Sequence, residues 1–239
     1  MTYLDRTVPE SSVEIAFTRH AAEFAPRADR WDETATGPRA KTLRMREHEI
    51  VFEEGDAADR LYEIADGAVM LYKMLPDGRR QVLEILGQGD LFGLSGGDAH
   101  DCTAETLSAS GFRVVDRRDA EASVAGQQKI SLCLRDRLTF LHEHAVLLGR
   151  KSACERVATF LLWMALGRAR RAGGAPATNT AVIRLAMTRQ EIADHLGLTI
   201  ETVSRVISDI RRRGIVVADG QDRLRVPDVR LLARMSSVH

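Results

Sequence analysis

The stretch that decides the fold is MTRQEIADHLGLTIETVSRVISDIRRRGIV, residues 187–216. Thr188 and Glu191 have the spacing of a capping box, which predicts that a short helix begins there. Gly197 suits the left-handed residue that ends a helix, and Thr199 can cap a second helix two residues later. Two helices joined by a tight glycine turn are typical of a helix-turn-helix, whose second helix enters the DNA major groove.

The second helix is predicted to have a buried stripe and a free face. The stripe consists of apolar residues at spacings of 3, 4 and 3: Ile200, Val203, Ile207 and Ile210. The free face carries polar side chains: Glu201, Ser204, Arg205, Ser208 and Arg211. An acid and a base four residues apart often form only a surface salt bridge. In a helix-turn-helix, however, Arg205 can bind guanine through two hydrogen bonds, and Glu201 can accept one from a cytosine or adenine amino group.

Phosphate contacts are expected from the hydroxyl and guanidinium groups around these helices. The candidates are Thr188, Thr199, Thr202, Ser208, Arg211 and Arg212. Cations at the end of a helix also interact favourably with its dipole, so the arginines can serve both purposes. The following stretch, GIVVADGQDRLRVPD at residues 214–228, predicts two strands joined by an Asp-Gly turn, like the wing of a winged helix.

The charge distribution supports a nucleic-acid partner for one end of the chain only. The 239 residues have zero net charge, but residues 151–239 hold 15 Lys or Arg against 8 Asp or Glu. That part is therefore at +7 and residues 1–150 are at −7, so the basic part is the one suited to a polyanion. No signal-peptide core or membrane span is evident, which predicts a cytoplasmic protein without a membrane partner.

The preceding region predicts an antiparallel β-roll of about eight strands, from about Arg39 to Arg118. Glycines recur there at strand-plus-turn intervals: Gly55, Gly67, Gly78, Gly89 and Gly111. Asp66-Gly67 and Asp77-Gly78 are hairpin signals, because glycine readily adopts a positive φ. Residues 152–155, SACE, form a further capping box, and residues 181–186, AVIRLA, predict a short strand.

A long helix is predicted from about Ala120 to Gly149. Apolar residues spaced 4, 3, 4 and 3 form a heptad seam: Leu134, Leu138, Leu141, Ala145 and Leu148. Such a seam favours pairing with the same helix of a second copy, hence a homodimer. The alternative is that this face of the helix packs on its own roll.

The predicted fold class is α+β, with four parts. An N-terminal extension, residues 1–36, contains a short helix around Ser12–Phe24. A jelly-roll-like β-roll, of the cyclic-nucleotide-binding type, covers residues 37–119. The dimerisation helix covers residues 120–150, and the winged helix-turn-helix that binds DNA covers residues 151–239.

These features in this order resemble the Crp/Fnr family of bacterial transcription regulators. The resemblance covers about Arg39 to Val229 and includes GDAADRLYEIADGAVMLY, residues 55–72, and GQGDLFGL, residues 87–94. Glu201, Ser204 and Arg205 match the E-x-x-S-R pattern of its Fnr and FixK-like branch. The resemblance implies an activator that binds a TTGAT-N4-ATCAA-like palindrome as a homodimer and contacts RNA polymerase. Arg205 and Glu201 would read the G·C pair of each half-site, with Ser204 beside a thymine.

The roll departs from relatives that bind cyclic AMP or an iron–sulfur cluster. Leu94 stands where the cyclic-AMP binders have a ribose-gripping glutamate, and Asp101-Cys102 lies where they have a phosphate-gripping Arg-Ser pair. A 4Fe–4S cluster of the Fnr type needs four thiolates, but residues 1–101 contain no cysteine. We therefore expect neither group. Cys102, Cys133 and Cys154 are interpreted as small buried apolar residues, with Cys154 the first choice if a thiol is reactive.

The favoured hypothesis is a regulator that needs no effector. Two alternatives are a regulator that senses a small ligand and a cupin-like enzyme. A haem or other small ligand could bind in the roll, since several histidines are present: His20, His48, His100, His142 and His144. A Soret band in purified protein would favour haem. A cupin-like enzyme is disfavoured, because the roll has only two histidines, which form no ligand cluster, and no nucleophile–base pair is evident. The prediction is a regulator with no cofactor, no metal and no catalytic residue.

Overall fold

The computed structural model describes residues 40–171, 179–220 and 223–237. The predicted extension at residues 1–36, with its helix at Ser12–Phe24, lies outside these described residues. The described chain begins with eight strands: β1 Lys41–Met45, β2 Ile50–Phe52, β3 Arg60–Asp66, β4 Ala68–Met74, β5 Arg80–Gly87, β6 Leu91–Phe92, β7 Thr103–Thr106 and β8 Ser110–Asp116. They form two antiparallel sheets of four strands, in the orders β1-β8-β3-β6 and β2-β7-β4-β5. The predicted β-roll is therefore confirmed.

Aromatic rings fill the space between the two sheets. Phe92 and Phe112 are fully buried, and Tyr62 and Phe52 are nearly so. The ring centroids of Tyr62 and Phe92 lie 5.1 Å apart, and those of Phe92 and Phe112 lie 5.6 Å apart. Such pairs add specific geometry to the apolar area that they bury, so the two sheets are held in one arrangement.

One of the two predicted hairpins is wrong. Gly78 has φ +82° in the turn between β4 and β5, which pair with each other as expected. Gly67 also has a positive φ, of +94°, but β3 and β4 on either side of it belong to different sheets. The turn is instead a corner from one sheet to the other. A side chain at Gly67 would place its Cβ 2.2 Å from the Ser110 hydroxyl oxygen, so the corner is also too crowded for one.

The predicted long helix is two helices, α1 at Arg117–Ala122 and α2 at Val124–Arg150. Ser123, with φ −93° and ψ 140°, lies between them, and its side chain accepts a hydrogen bond from the Gly126 amide. A Cβ at Gly126 would lie 2.0 Å from the Ala120 carbonyl oxygen. The break therefore depends on a capping serine and on a glycine that allows the two helices to approach closely.

One side of helix α2 packs on the roll, and the heptad seam lies on another side of the helix, which is mostly exposed. Leu134, Leu138 and Leu141 are 48%, 55% and 42% exposed, and Ala145 is also exposed. Leu148 differs from the other seam residues, because it is half-buried against the core of the C-terminal part. Most of the seam is thus exposed, although another side of α2 packs on the roll.

The C-terminal part contains α3 Ala153–Arg171, β9 Ala181–Arg184, α4 Arg189–Leu196, α5 Ile200–Arg212, β10 Val217–Ala218, β11 Arg223–Val226 and α6 Val229–Ser236. The three strands form one antiparallel sheet in the order β10-β11-β9. Ser152 and Glu155 cap α3 reciprocally, as the sequence predicts. Helix α6 was not predicted, although Asp228 at its N-cap and the buried residues Val229, Leu232 and Ala233 carry its signal.

The roll and the C-terminal part share a continuous apolar cluster. Val82 on β5 belongs to the same buried cluster as Ile192 and Leu196 on α4. The first helix of the helix-turn-helix therefore packs on the roll, which leaves α5 on the outer side. No helix in the described part of the chain is long and apolar enough to cross a membrane.

Candidate nucleic-acid interface

Local interactions fix the ends of α4 and α5. The Thr188 hydroxyl accepts from the Glu191 amide while the Glu191 carboxylate accepts from the Thr188 amide, so the predicted capping box is confirmed. Gly197 ends α4 in the left-handed region, at φ 60° and ψ 43°. Thr199 then caps α5 by accepting from the Thr202 amide. The glycine turn and the two caps set where α5 begins relative to α4.

The buried stripe of α5 differs from the prediction at its first residue. Val203, Ile207 and Ile210 are buried as predicted, but Ile200 is 38% exposed. Val206 is buried in its place. Ile200 is the first residue of the helix. The buried stripe still directs the opposite side of α5 to solvent.

The three predicted base-reading residues lie together on the free face of α5. Glu201 and Arg205 are exposed, and Ser204 between them is half-buried. Within the described residues neither Glu201 nor Arg205 forms an ion pair, so the salt bridge that their spacing allows is not formed. The Glu201 amide and the Thr199 hydroxyl lower the pKa of the Glu201 carboxyl. The face thus presents a hydrogen-bond acceptor and a planar five-donor guanidinium, both available to a ligand.

The predicted phosphate-contacting residues differ in how free their polar groups are. Thr188 and Thr199 use their hydroxyls as helix caps, and the Thr202 hydroxyl lies 3.1 Å from that of Thr199. The Ser208 hydroxyl donates to the Ser204 carbonyl at 2.8 Å. Arg212 is ion-paired with Asp209. Arg211 has no ion-pair partner in the described part of the chain, so its guanidinium is the group of this set most available to a phosphate.

Arg189, the first residue of α4, is a candidate that the sequence reasoning missed. It is half-buried, and both burial and the nearby Arg211 guanidinium lower its pKa. No carboxylate among the described residues pairs with it. Two neighbouring guanidiniums without an acid are a favourable place for an anion. The only signal in the sequence was a cation directly after a capping threonine.

The three-stranded sheet places the wing beside the helices. Strands β10 and β11 pair antiparallel, with Val217 opposite Arg225, and Gly220 in the connecting turn has φ +102°. The next two residues of the sequence, Gln221 and Asp222, lie outside the described residues. Arg225 is exposed on β11, whereas Arg223 lies near Asp219 at 3.9 Å. The wing thus carries a further exposed cation.

Polar contacts join α4, the first helix of the helix-turn-helix, to the roll. Arg80 on β5 is paired with Asp194 on α4 at 2.9 Å. The His195 ring Nδ1 lies 3.2 Å from the Val82 carbonyl oxygen, and the ring centroid lies 4.5 Å from that of His144 on α2. Burial lowers the pKa of both imidazoles, that of His195 to about 3. These two rings lie where roll, long helix and helix-turn-helix meet.

The residues considered for a sensor are spread through the roll and the long helix. Cys102 is buried, and burial raises its pKa to about 12. Cys133 is half-buried, with a pKa also raised by burial, but Cys154 is exposed, so the expectation that all three are buried is wrong. His100 stacks on Phe52 with centroids 3.5 Å apart, and His144 stacks on Phe140 at 5.7 Å. Across the described ranges no three His, Cys, Asp or Glu side chains are grouped to hold a metal ion.

Comparison with known proteins identifies relatives of both parts. Residues 42–125 match a cyclic nucleotide-binding domain, and residues 155–235 match a Crp-like helix-turn-helix domain. The nitrogen fixation regulation protein FixK of Rhizobium meliloti is 35% identical over 181 residues, 76% of this chain and 80% of that protein. The transcriptional activator protein FnrL of Cereibacter sphaeroides is 35% identical over 222 residues, 88% and 86% of the two chains. The structure of FixK2 from Bradyrhizobium japonicum superposes with a TM-score of 0.74 at 34% identity, covering 84% of this chain and 99% of that one.

Proposed function

We infer the function from the family to which the chain belongs, the FixK-like branch of the Crp/Fnr transcription regulators. It is a DNA-binding transcription activator of that family. We propose that it binds a palindrome close to TTGAT-N4-ATCAA as a homodimer. The observation that carries this proposal is the free face of α5, where Glu201 and Arg205 are exposed and form no ion pair with any residue that the structure describes.

Each half-site would be read by the first half of α5. The Arg205 guanidinium would donate two hydrogen bonds to the guanine of the G·C pair, and the Glu201 carboxylate would accept from the amino group of its cytosine. Ser204, half-buried between them, would lie beside a thymine. The lowered pKa of Glu201 keeps it an acceptor, which suits contact with an amino group.

Phosphates on either side of the base contacts would bind the arginines that have no acidic partner in the described part of the chain. Arg189 and Arg211 lie together at the ends of α4 and α5, and Arg225 is exposed on the wing. The threonines at the caps and Ser208 would contribute hydroxyls, and Arg212 would have to leave Asp209 to contact a phosphate. Phosphate contacts position the protein without specifying sequence, so this set would set affinity and salt dependence.

The homodimer would form through the exposed seam of α2. Leu134, Leu138 and Leu141 are all exposed on one side of a helix of 27 residues. A groove beside them is lined by Gln127, Ile130 and Ser131, and it runs along the same side of the helix. A second copy of α2 would cover both, and its two-fold axis would place two α5 helices on successive major-groove faces.

The bound dimer would contact RNA polymerase through exposed surface of the chain and would act in the cytoplasm, where its operator DNA is. We propose that no cyclic nucleotide, iron–sulfur cluster or haem is needed, and that activity follows the abundance of the protein. The presence of Leu94 and of Asp101-Cys102 at the positions discussed above supports this proposal. So do His100 and His144, whose rings are stacked against aromatic side chains.

Fluorescence anisotropy with labelled duplexes tests the proposal. The full chain should bind a TTGAT-N4-ATCAA duplex, and exchanging the G·C pair in both half-sites should cost about 1–3 kcal/mol for each changed pair. A duplex changed only in the central four pairs is the matched control and should bind like the original. Equal affinity for the original and the half-site-exchanged duplex would show that the protein does not read this palindrome.

A further inference from the structure

Two buried ion pairs join α2 to the roll. The Arg137 Nε lies 2.9 Å from the Glu84 carboxylate, and the Lys129 Nζ lies 2.8 Å from Glu63 Oε1. All four side chains are at most 19% exposed. Glu63 is on β3 and Glu84 is on β5, which belong to different sheets. The helix is therefore tied once to each sheet of the roll.

The two pairs fix both the position and the rotation of the helix. Lys129 and Arg137 are eight residues apart, which is about 12 Å along the helix axis. Leu138 follows Arg137 directly, and successive residues point about 100° apart around the axis. When Arg137 is paired with Glu84 on the roll, Leu138 therefore points about 100° away from that contact, and the seam faces solvent. A rotation by one residue position would break both pairs and turn the seam away.

The apolar contacts between helix and roll do not impose this arrangement by themselves. Ile130 and Cys133 pack beside a small cluster that includes Leu61 and Leu91 on the roll. Burial of apolar area is not directional, so such contacts tolerate a turn or a slide of the helix. An ion pair is lost by the same movement, and an unpaired charge would then remain buried.

Stability alone does not account for these pairs. Burial raises the pKa of Glu84 although Arg137 opposes the shift, and burial lowers the pKa of Lys129, so the charged forms are desolvated at a cost. Glu63 Oε2 and Arg137 Nη2 are buried without a hydrogen-bond partner in the described structure. Apolar residues of similar size in place of a buried ion pair are often neutral or stabilising. What the pairs provide is a single rotation and axial position of α2 relative to the roll.

We propose that Arg137 with Glu84, and Lys129 with Glu63, are positioning pairs that hold the seam of α2 in its dimer-forming orientation without a bound effector. This inference rests on the proposed function, because it assumes that the seam forms the homodimer. The chain's own side chains then make the connection between roll and helix that fixes the active arrangement. No small molecule between them is required.

The test separates positioning from stability by replacing a whole pair with apolar residues. Glu84→Leu with Arg137→Met should leave the melting temperature close to that of the unaltered protein, since no charge is left unpaired. The same double variant should weaken dimerisation about tenfold in analytical ultracentrifugation, because the helix is free to rotate. Arg150→Met, at an exposed arginine in the last turn of the same helix, is the control and should leave both quantities unchanged.

A double variant that matches the unaltered protein in both melting temperature and dimer affinity would overturn the proposal. If that variant does not fold, Glu63→Leu with Lys129→Met is measured in the same way, and the same two outcomes decide. Dimerisation is measured without DNA, so this inference and the proposed DNA recognition fail separately. A dimer that is weakened in the double variant but ignores the palindrome would support the positioning pairs and contradict the proposed operator.

Discussion

Arg205 is the side chain whose loss should change recognition most directly. Its guanidinium is exposed and has no ion-pair partner among the described residues, so no such pair has to break before it contacts a base. Arg205→Ala should cost about 1–3 kcal/mol per half-site and relax the preference at the guanine. Anisotropy titrations with each of the four base pairs at that position measure both effects. Unchanged affinity for the TTGAT palindrome would remove Arg205 from the reading face.

Arg211→Ala is the contrasting variant. We expect it to weaken binding by a similar factor to each of the duplexes that differ at the guanine position, because a phosphate contact carries no sequence information. The slope of log affinity against log salt concentration should fall by about one, since one fewer counterion is released.

Arg189, which lies near Arg211, could not be predicted as its neighbour from the sequence. The two residues belong to different helices, and only the packing of α4 against α5 brings their guanidiniums near each other.

At the level of the element, the seam of α2 makes the sharpest prediction. Leu138→Glu with Leu141→Glu should give monomers in analytical ultracentrifugation, because charges in a coiled-coil seam are left buried and unpaired. Leu132→Glu with Val146→Glu is the matched control, since both residues are exposed on the same helix but lie outside the seam. Dimers that persist in the seam variant would move the dimer interface elsewhere.

The elements were predicted best where a local signal is sufficient. The capping box at Thr188 and the left-handed Gly197 depend on neighbours within a few residues, and both are as predicted. The turn at Gly67 was predicted wrongly, because its positive φ is local but the choice of partner strand is not. Helix α6 was missed, since eight residues with a single cap give a weak periodic signal.

For the whole molecule, the two histidines at the junction predict a dependence of stability on pH. The pKa of His195 is lowered to about 3 from 6.5 by burial and by His144, and burial also lowers that of His144. The unfolded chain therefore binds more protons than the folded one below about pH 6.5, and the free energy of unfolding falls as pH falls towards 3. The ion pair between Arg80 on β5 and Asp194 on α4 joins the same strand and helix.

Urea unfolding at about pH 7.5 and 5.5 measures this effect. The unaltered protein should lose about 1 kcal/mol through His195 between these values, and the lowered pKa of His144 should add to that loss. His195→Gln should remove its share of the loss while keeping a donor for the Val82 carbonyl. His142→Gln, at an exposed position on α2, should behave like the unaltered protein. An equally steep loss in His195→Gln would mean that this imidazole does not titrate on unfolding.

The sequence by itself determined the helix-turn-helix, the existence of the roll and the position of Glu201, Ser204 and Arg205 on one face of α5, because caps, turn glycines and helical spacing act over a few residues. Only the tertiary structure decided that Ile200 is exposed while Val206 is buried, and that Leu148 packs on its own chain. It also decided that Glu63 and Glu84 meet Lys129 and Arg137. These facts depend on which distant surfaces come into contact, and burial and charge pairing are settled only when the sheets and helices pack.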